Sequence, residues 1–201
     1  MYWIHPEHPD AIATFQHSLL ALIQNNYKHK TACIFACIGT PAIIGDCLGP
    51  LVGSVLVNQI PTTIYGTLDA PVHANNLHQL YKHIKKQHQQ PLIIAIDAAL
   101  GTYAQSGYIF LKKGPLHPGK GVGKKLPPIG HIQITGVFND LFSKPAEKQL
   151  ANFSRCISQG ILELYPSFQS TKECDFINVL KIPANRNTTG NTADFNTCWF
   201  N

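Results

Sequence analysis

The chain has 201 residues, of which 44% are hydrophobic and 13% are charged, and its formal net charge is +5. That length and hydrophobic content suffice for one domain with a real core and exclude a disordered chain. The lysines form no dense basic stripe, and no stretch reaches the roughly 20 apolar residues of a membrane span. We therefore expect neither nucleic-acid binding nor membrane association.

The first elements along the chain alternate between helical and strand patterns. Asp10 is a candidate cap for a helix whose apolar repeat ends near Lys28. The next segment, Thr31–Ile38, is a continuous apolar run typical of a buried parallel strand. A glycine-containing loop, Gly39–Gly45, then leads into a second helix marked by apolar residues from Leu48 onward.

The alternation continues to the last predicted helix. The later elements are predicted as a strand at 62–68, a helix around 77–84, strands at 91–96, 107–113 and 131–138, and a helix opened by Ser143 and Pro145 that runs to Leu164. Such alternation predicts an α/β fold with a mostly parallel sheet and helices on both faces. We expect a single domain over residues 1–165 and an irregular, Asn- and Thr-rich extension over 166–201.

Two aspartates occupy the places where ligands usually bind in such sheets, outside the carboxyl ends of the strands. Asp97 directly follows the predicted strand at 91–96, and Asp46 follows the strand Thr31–Ile38 by a short loop. If those strands are neighbours, the two carboxyl groups face each other and share a proton, so that one acts as base and the other as acid. The alternatives are a helix cap for Asp46 and a solvated strand-end acid for Asp97.

Several motifs, in the same order, closely resemble the YyaC-like sporulation proteins. They are Gly39-Thr40, Gly45-Asp46-Cys47-Leu48-Gly49-Pro50, the segment from Tyr65 to Ala74, Ala95-Ile96-Asp97-Ala98-Ala99-Leu100-Gly101, Gly114 to Val122, and Ile134-Thr135-Gly136. That family is similar to the spore germination protease, which degrades small acid-soluble spore proteins, and more distantly to the hydrogenase maturation proteases. The resemblance implies a twisted three-layer α/β/α sandwich of the phosphorylase/hydrolase-like type.

The resemblance also implies roles for individual residues. Asp46 and Asp97 match the two functional acids, and the segment from Pro118 to Gly123 is similar to a Pro-Gly-Ser-Gly-Val-Gly loop of the germination protease. A long loop of this kind offers backbone amides to a substrate carbonyl, or it is simply a long connection. We expect substrate contacts from Gly45, Gly119, Lys120, Gly121 and Thr135.

Two other chemistries stay open at this point. In the hydrogenase maturation proteases two acids and one histidine hold a nickel-site metal, so nickel or zinc could bind Asp46, Asp97 and His131, with His73 and His117 as other third ligands; we nevertheless expect no cofactor. Cys47, at a predicted helix N-terminus, could be a thiolate nucleophile, although a small packing residue is the simpler interpretation.

The expected function is a peptidase-type hydrolase of sporulation or germination. Its substrate would be a protein or peptide, and its place the cytoplasm of the forespore or mother cell of a spore-forming bacterium. The cysteines form no C-x-x-C pair and the N-terminus has no apolar signal segment, which favours reduced thiols in a cytosol. The alternative is a catalytically silent factor that binds a peptide or protein partner in the same cleft.

Overall fold

The computed structural model describes residues 1–26, 32–119, 126–142 and 144–165. These residues form one six-stranded sheet and four α-helices. In chain order they are β1 (Tyr2–Ile4), α1 (Ala11–Asn26), β2 (Cys33–Cys37), a 3₁₀ turn (Gly45–Cys47), α2 (Leu48–Leu56), β3 (Thr63–Tyr65), α3 (Leu77–Gln87), β4 (Leu92–Leu100), β5 (Ile109–Lys113), β6 (Ile132–Phe138) and α4 (Lys144–Leu164).

The sheet has the strand order β1-β5-β6-β4-β2-β3. The pairs β2–β3, β2–β4 and β4–β6 are parallel, whereas β5 pairs antiparallel with β6 and with β1. The expected α/β class with a mostly parallel sheet is therefore confirmed. The two strands that lead to the candidate acids, β2 and β4, are direct neighbours, with Cys37 opposite Ile96.

One face of the sheet, which we call the closed face, is covered by α1, α2 and α4. Side chains at alternate strand positions, such as Phe35, Ile96 and Ile134, join one apolar cluster with these helices. Helices α1 and α4 approach closely because Gly160 leaves room for the ring of Phe15; a Cβ at Gly160 would lie 2.5 Å from Phe15 Cδ1. Continuous burial of apolar surface on this face supplies most of the hydrophobic stabilisation.

The opposite face, which we call the α3 face, is covered differently. Helix α3 packs through Leu77, Leu80 and Ile84 onto side chains of β2 and β4. Among the described residues, the apolar cluster around α3 contains no side chain from β5 or β1. The part of this face that lies over β5 and β1 therefore has no apolar cover from α3.

The structure corrects two details of the sequence prediction. Strand β1 was not predicted, because three residues carry too little periodicity to be recognised. Strand β4 does not end at Ile96 but runs to Leu100, because its last residues pair with β6 as far as Phe138. Asp97 therefore lies inside a strand, not in a loop after one.

Two expectations concern the ends of the domain and the membrane. The irregular extension predicted for residues 166–201 lies outside the described residues, and so does Ser143. None of the helices in the described ranges is long and apolar enough to cross a membrane.

Candidate active site

Asp46 is held by the loop that follows β2. The backbone N–H of Thr40 donates to Asp46 Oδ2 at 3.0 Å, and the same N–H lies 3.2 Å from the carbonyl oxygen of Asp46. Gly39 makes this close approach feasible, since its φ is +144° and a Cβ there would overlap the carbonyl oxygen of Asp46. The interpretation of Asp46 as an ordinary helix cap is wrong, because its carboxylate bonds backward to the loop.

Asp97 points to the α3 face from the central strand β4, one residue beyond the level at which the neighbouring strand β2 ends. Its side chain follows Ile93 and Ala95 along one side of β4, and both of those residues belong to the apolar cluster under α3. Only 9% of Asp97 is exposed, and its Oδ1 accepts a 2.8 Å hydrogen bond from the N–H of Ala98. The alternative of a solvated strand-end acid is therefore wrong.

The protonation of the two acids is coupled. Burial raises the pKa of Asp97 well above its ordinary value, and the negative charge of Asp46 raises it further, against the opposing hydrogen bond from Ala98. Burial also raises the pKa of Asp46, and the hydrogen bond from Thr40 partly offsets this rise. Asp97 is the more buried of the two acids, so burial disfavours its charged form more strongly than it disfavours the charged form of Asp46.

Thr135 lies next to Asp97. The two residues are directly paired across β6 and β4, and only 6% of Thr135 is exposed. Paired residues of neighbouring strands project to the same face, so the hydroxyl and the carboxyl group share one environment. The structure thus places one of the predicted substrate contacts beside the candidate acid.

Gly45 serves the architecture of the loop. Its N–H donates to the carbonyl oxygen of Leu141 at 2.9 Å, and a Cβ at Gly45 would overlap the side chain of Leu141. This contact ties the loop after β2 to the segment after β6. The amide of Gly45 is therefore already used within the protein.

The glycine-rich loop is described only at its two ends. Gly114 donates to the carbonyl oxygen of His131, and Leu116 forms a bridge with Ile129. Both anchors lie at the start of β6, away from the edge that carries Asp97. Gly119 is partly buried, whereas Lys120 and Gly121 lie outside the described residues, so their predicted contacts stay predictions.

The histidines considered as third metal ligands do not join the acids. The N–H of His131 donates to Ile93, whose own N–H donates to His131 Nδ1 at 3.0 Å. Ile93 precedes Asp97 by four strand residues, which is about 13 Å. His73 Nδ1 accepts from Asn75, and His117 is exposed. No group of three His, Cys, Asp or Glu in the described ranges could hold a metal ion together.

Cys47 is a poor nucleophile in this setting. Burial raises the pKa of its thiol, and the neighbouring charge of Asp46 raises it again. The idea that the start of the helix lowers this pKa is therefore wrong, because a thiolate beside a carboxylate is electrostatically disfavoured. The thiol stays protonated near neutral pH.

The fold and the site together define an α/β protein with a pair of coupled carboxyl groups at the carboxyl edge of its sheet. Comparison with known families then gives its place: the chain matches the family described as "Protein of unknown function (DUF1256)" over residues 3–150 and belongs to it. The matched range contains both acids, Thr135 and the whole of strands β2 to β6.

A curated relative supports the same assignment. The "Uncharacterized protein YyaC" of Bacillus subtilis (strain 168) is 41% identical over 137 residues, which are 66% of this chain and 65% of the relative. The match thus spans slightly less than two thirds of that relative's length. The resemblance to YyaC-like proteins is confirmed, while the wider relation to the two protease families stays a prediction.

Proposed function

We propose that this protein is a peptide-bond hydrolase in which Asp46 and Asp97 form the acid/base pair. The observation that carries the proposal is the placement of the two acids: Asp46 follows β2, Asp97 lies within β4, and these two strands are parallel neighbours. In this arrangement the charge of Asp46 acts on the buried carboxyl group of Asp97. Two carboxyl groups that share one proton supply a base and an acid at the same site.

The difference between the two acids assigns their roles. Asp46, ionised, takes a proton from a water molecule, whose oxygen attacks the carbonyl carbon of the peptide bond. Asp97, protonated, gives its proton to the leaving nitrogen as the C–N bond breaks. The products are a carboxylic acid and an amine, and transfer of the proton from Asp46 back to Asp97 restores the starting state.

The biological setting follows from the resemblance. The ordered motifs of the chain resemble those of YyaC-like sporulation proteins, and this resemblance implies a likeness to a protease that degrades small acid-soluble spore proteins. We therefore propose a protein or peptide substrate, and an action during sporulation or germination in the cytoplasm of the forespore or mother cell.

A second candidate function is binding without cleavage. The observation that favours it is the depth of Asp97, which is 9% exposed and already accepts a hydrogen bond from its own neighbour, Ala98. A carboxyl group in this position can stabilise the backbone beneath a peptide-binding cleft through its hydrogen bond, without taking part in a reaction. The same protein surface would then hold a partner and leave its backbone intact.

The metal-dependent maturation chemistry fits the site less well. It requires a third ligand beside Asp46 and Asp97, and the described residues supply none within reach. We therefore assign no step to a metal. Metal analysis of protein purified without a histidine tag tests this point, and stoichiometric nickel or zinc would restore the metal-dependent interpretation.

Cleavage by the purified chain of 201 residues tests the main proposal. Two substrates are incubated with it, a small acid-soluble spore protein and an unfolded casein, and the products are identified by mass spectrometry. We expect Asp46→Asn and Asp97→Asn each to lower the rate by about 10²- to 10⁴-fold, the usual range for a general acid or base.

The control is Asp10→Asn, which makes the same chemical change at an exposed acid before α1. This variant should cleave at the rate of the unchanged protein. Cleavage that survives in a folded Asp97→Asn protein contradicts the acid/base pair. Binding of the spore protein without cleavage, equally in the unchanged protein and in Asp97→Asn, supports the second candidate function.

A further inference from the structure

One row of side chains connects the candidate acids to the far edge of the sheet. Trp3 on β1 pairs with Phe110 on β5, Phe110 pairs with Thr135 on β6, and Thr135 pairs with Asp97 on β4. Directly paired residues project to the same side of a sheet. All four side chains therefore lie on the α3 face, in a straight line across four strands.

Exposure falls along this row towards the acid. Trp3 is 36% exposed and Phe110 is partly exposed, whereas Thr135 and Asp97 are buried. The row begins on the part of the α3 face without apolar cover from α3. The directly paired residues thus connect an accessible aromatic surface with a buried carboxyl group.

The accessible end of the row is an aromatic shelf formed by Trp3, Tyr108 and Phe110. The ring of Trp3 lies 4.8 Å from that of Phe110 and 6.2 Å from that of Tyr108, measured between centroids. The ammonium group of Lys112 lies 5.8 Å from the centroid of Phe110, on the same face. Partly exposed aromatic rings with a lysine at their margin suit an apolar side chain that has an acidic neighbour.

We propose that the aromatic shelf binds an apolar, preferably aromatic, side chain of an extended peptide substrate whose cleaved bond lies at Asp46 and Asp97. This inference rests on the proposed function and adds a position-specific preference to it. Lys112 would favour an acidic residue beside the apolar one.

The spacing of the strands sets the position of that side chain. Neighbouring strands lie about 4.8 Å apart, so Phe110 is about 10 Å and Trp3 about 14 Å from Asp97 across the sheet. An extended peptide advances about 3.3 Å per residue. The bound side chain therefore belongs to the third or fourth residue from the cleaved bond.

The test combines cleavage and binding. Acetylated octapeptides that place one Phe at varied distances from each bond, in a Gly, Ala and Asp background, are digested and their products sequenced by mass spectrometry. Cleavage should be enriched three or four residues from Phe. Phe110→Ser should lower this enrichment about three- to tenfold.

The control is Tyr81→Ser on α3. Tyr81 also carries a lysine over its ring, with Lys85 Nζ 4.4 Å from the centroid, but it does not belong to the row. Tyr81→Ser should therefore leave the enrichment of cleavage near Phe unchanged. If Phe110→Ser fails to fold, Lys112→Glu tests the same shelf, and it should reverse the preference for an acidic neighbour.

Binding is measured without turnover in Asp97→Asn. Trp3 and Trp199 are the two tryptophans, so Trp199→Phe leaves Trp3 as the only source of tryptophan fluorescence. Saturating Phe-containing octapeptide should shift the emission of Trp3, and the matched octapeptide of Gly, Ala and Asp without Phe should not.

The outcomes separate this inference from the proposed function. Cleavage without any preference that depends on Phe110 overturns the aromatic shelf and keeps the hydrolase. A Trp3 shift that is lost in Phe110→Ser, with no peptide cleaved by the unchanged protein, keeps the shelf and overturns the hydrolase. Neither cleavage nor a Trp3 shift overturns both.

Discussion

The two faces of the sheet are built on different principles. The closed face presents apolar strand side chains to three helices, and the buried polar groups on those helices are small serine hydroxyls (Ser18, Ser154 and Ser158). Phe153 and Phe138 meet there edge to face at 5.0 Å between centroids. The α3 face mixes an apolar part under α3 with buried polar groups, Asp97 and Thr135, and with partly exposed aromatic rings. Burying a carboxyl group costs stability, so its position on the less sealed face points to a use other than packing.

The largest effect on stability is expected on the closed face. Phe153→Ala removes a fully buried ring and leaves a cavity, which should lower the free energy of unfolding by about 3–5 kcal/mol. Urea denaturation followed by circular dichroism measures it. A loss below about 1 kcal/mol would show that the closed face is not the main source of stability.

A smaller but functionally sharper effect is expected at Gly39. In Gly39→Ala the new Cβ would overlap the carbonyl oxygen of Asp46 and would sit at a φ of +144°, so the loop that places Asp46 must shift. We expect a thermal destabilisation together with a fall of at least about tenfold in kcat/KM, since small displacements of a catalytic group are costly.

Gly114→Ala is the matched control for Gly39→Ala. Gly114 also has a positive φ, +109°, but none of the described residues lies within 4 Å of the position of its Cβ. It should lose about 1 kcal/mol of stability from backbone strain alone and keep its kcat/KM. Equal losses of activity in the two variants would contradict the role of Gly39 in placing Asp46.

The buried acid predicts a particular dependence of stability on pH. The pKa of Asp97 is raised in the folded protein. Its contribution to the free energy of unfolding is therefore fully present below the unfolded pKa of about 4 and is lost as the pH rises through the folded pKa. Asp97→Asn removes the titrating carboxyl group, and with it the loss of stability at higher pH. Its Tm should therefore exceed that of the unchanged protein near neutral pH, with the difference shrinking towards about pH 4.

Differential scanning calorimetry across this pH range measures the difference. Asp10→Asn should follow the unchanged protein throughout. Parallel Tm curves for Asp97→Asn and the unchanged protein would mean that Asp97 titrates alike in the folded and unfolded states.

The smallest effect is expected on the aromatic shelf. Phe110→Ala truncates a partly exposed ring, so it should cost only about 1 kcal/mol, well below Phe153→Ala on the closed face. Urea denaturation of both variants under one set of conditions makes the comparison. A loss of about 3 kcal/mol or more at Phe110 would assign the shelf to packing instead of ligand contact.

The sequence predicted the parallel core of the fold because its strands are continuous apolar runs flanked by helical repeats. It also predicted that Asp46 and Asp97 lie at strands that could be neighbours, and β2 and β4 are neighbours. It did not predict that β4 continues past Asp97, since an acid ends an apolar run and only the pairing with β6 extends the strand.

The aromatic row was beyond sequence reasoning for a related reason. Trp3, Phe110, Thr135 and Asp97 are far apart in the chain, and they are aligned only by the register of three strand pairs. Strand β1, which carries Trp3, is too short to show periodicity. Likewise, the backward hydrogen bond from Thr40 to Asp46 depends on the φ of Gly39, which a sequence suggests only as a glycine in a loop.

The central claim is that Asp46 and Asp97 act as one proton-sharing pair. Titration of the aspartate side-chain carboxyl carbons by ¹³C NMR measures this directly in the unchanged protein and in Asp46→Asn. We expect the pKa of Asp97 to lie well above its ordinary value, and to fall when Asp46→Asn removes the neighbouring charge. A pKa of Asp97 in the ordinary range, or one that Asp46→Asn does not change, would contradict the claim.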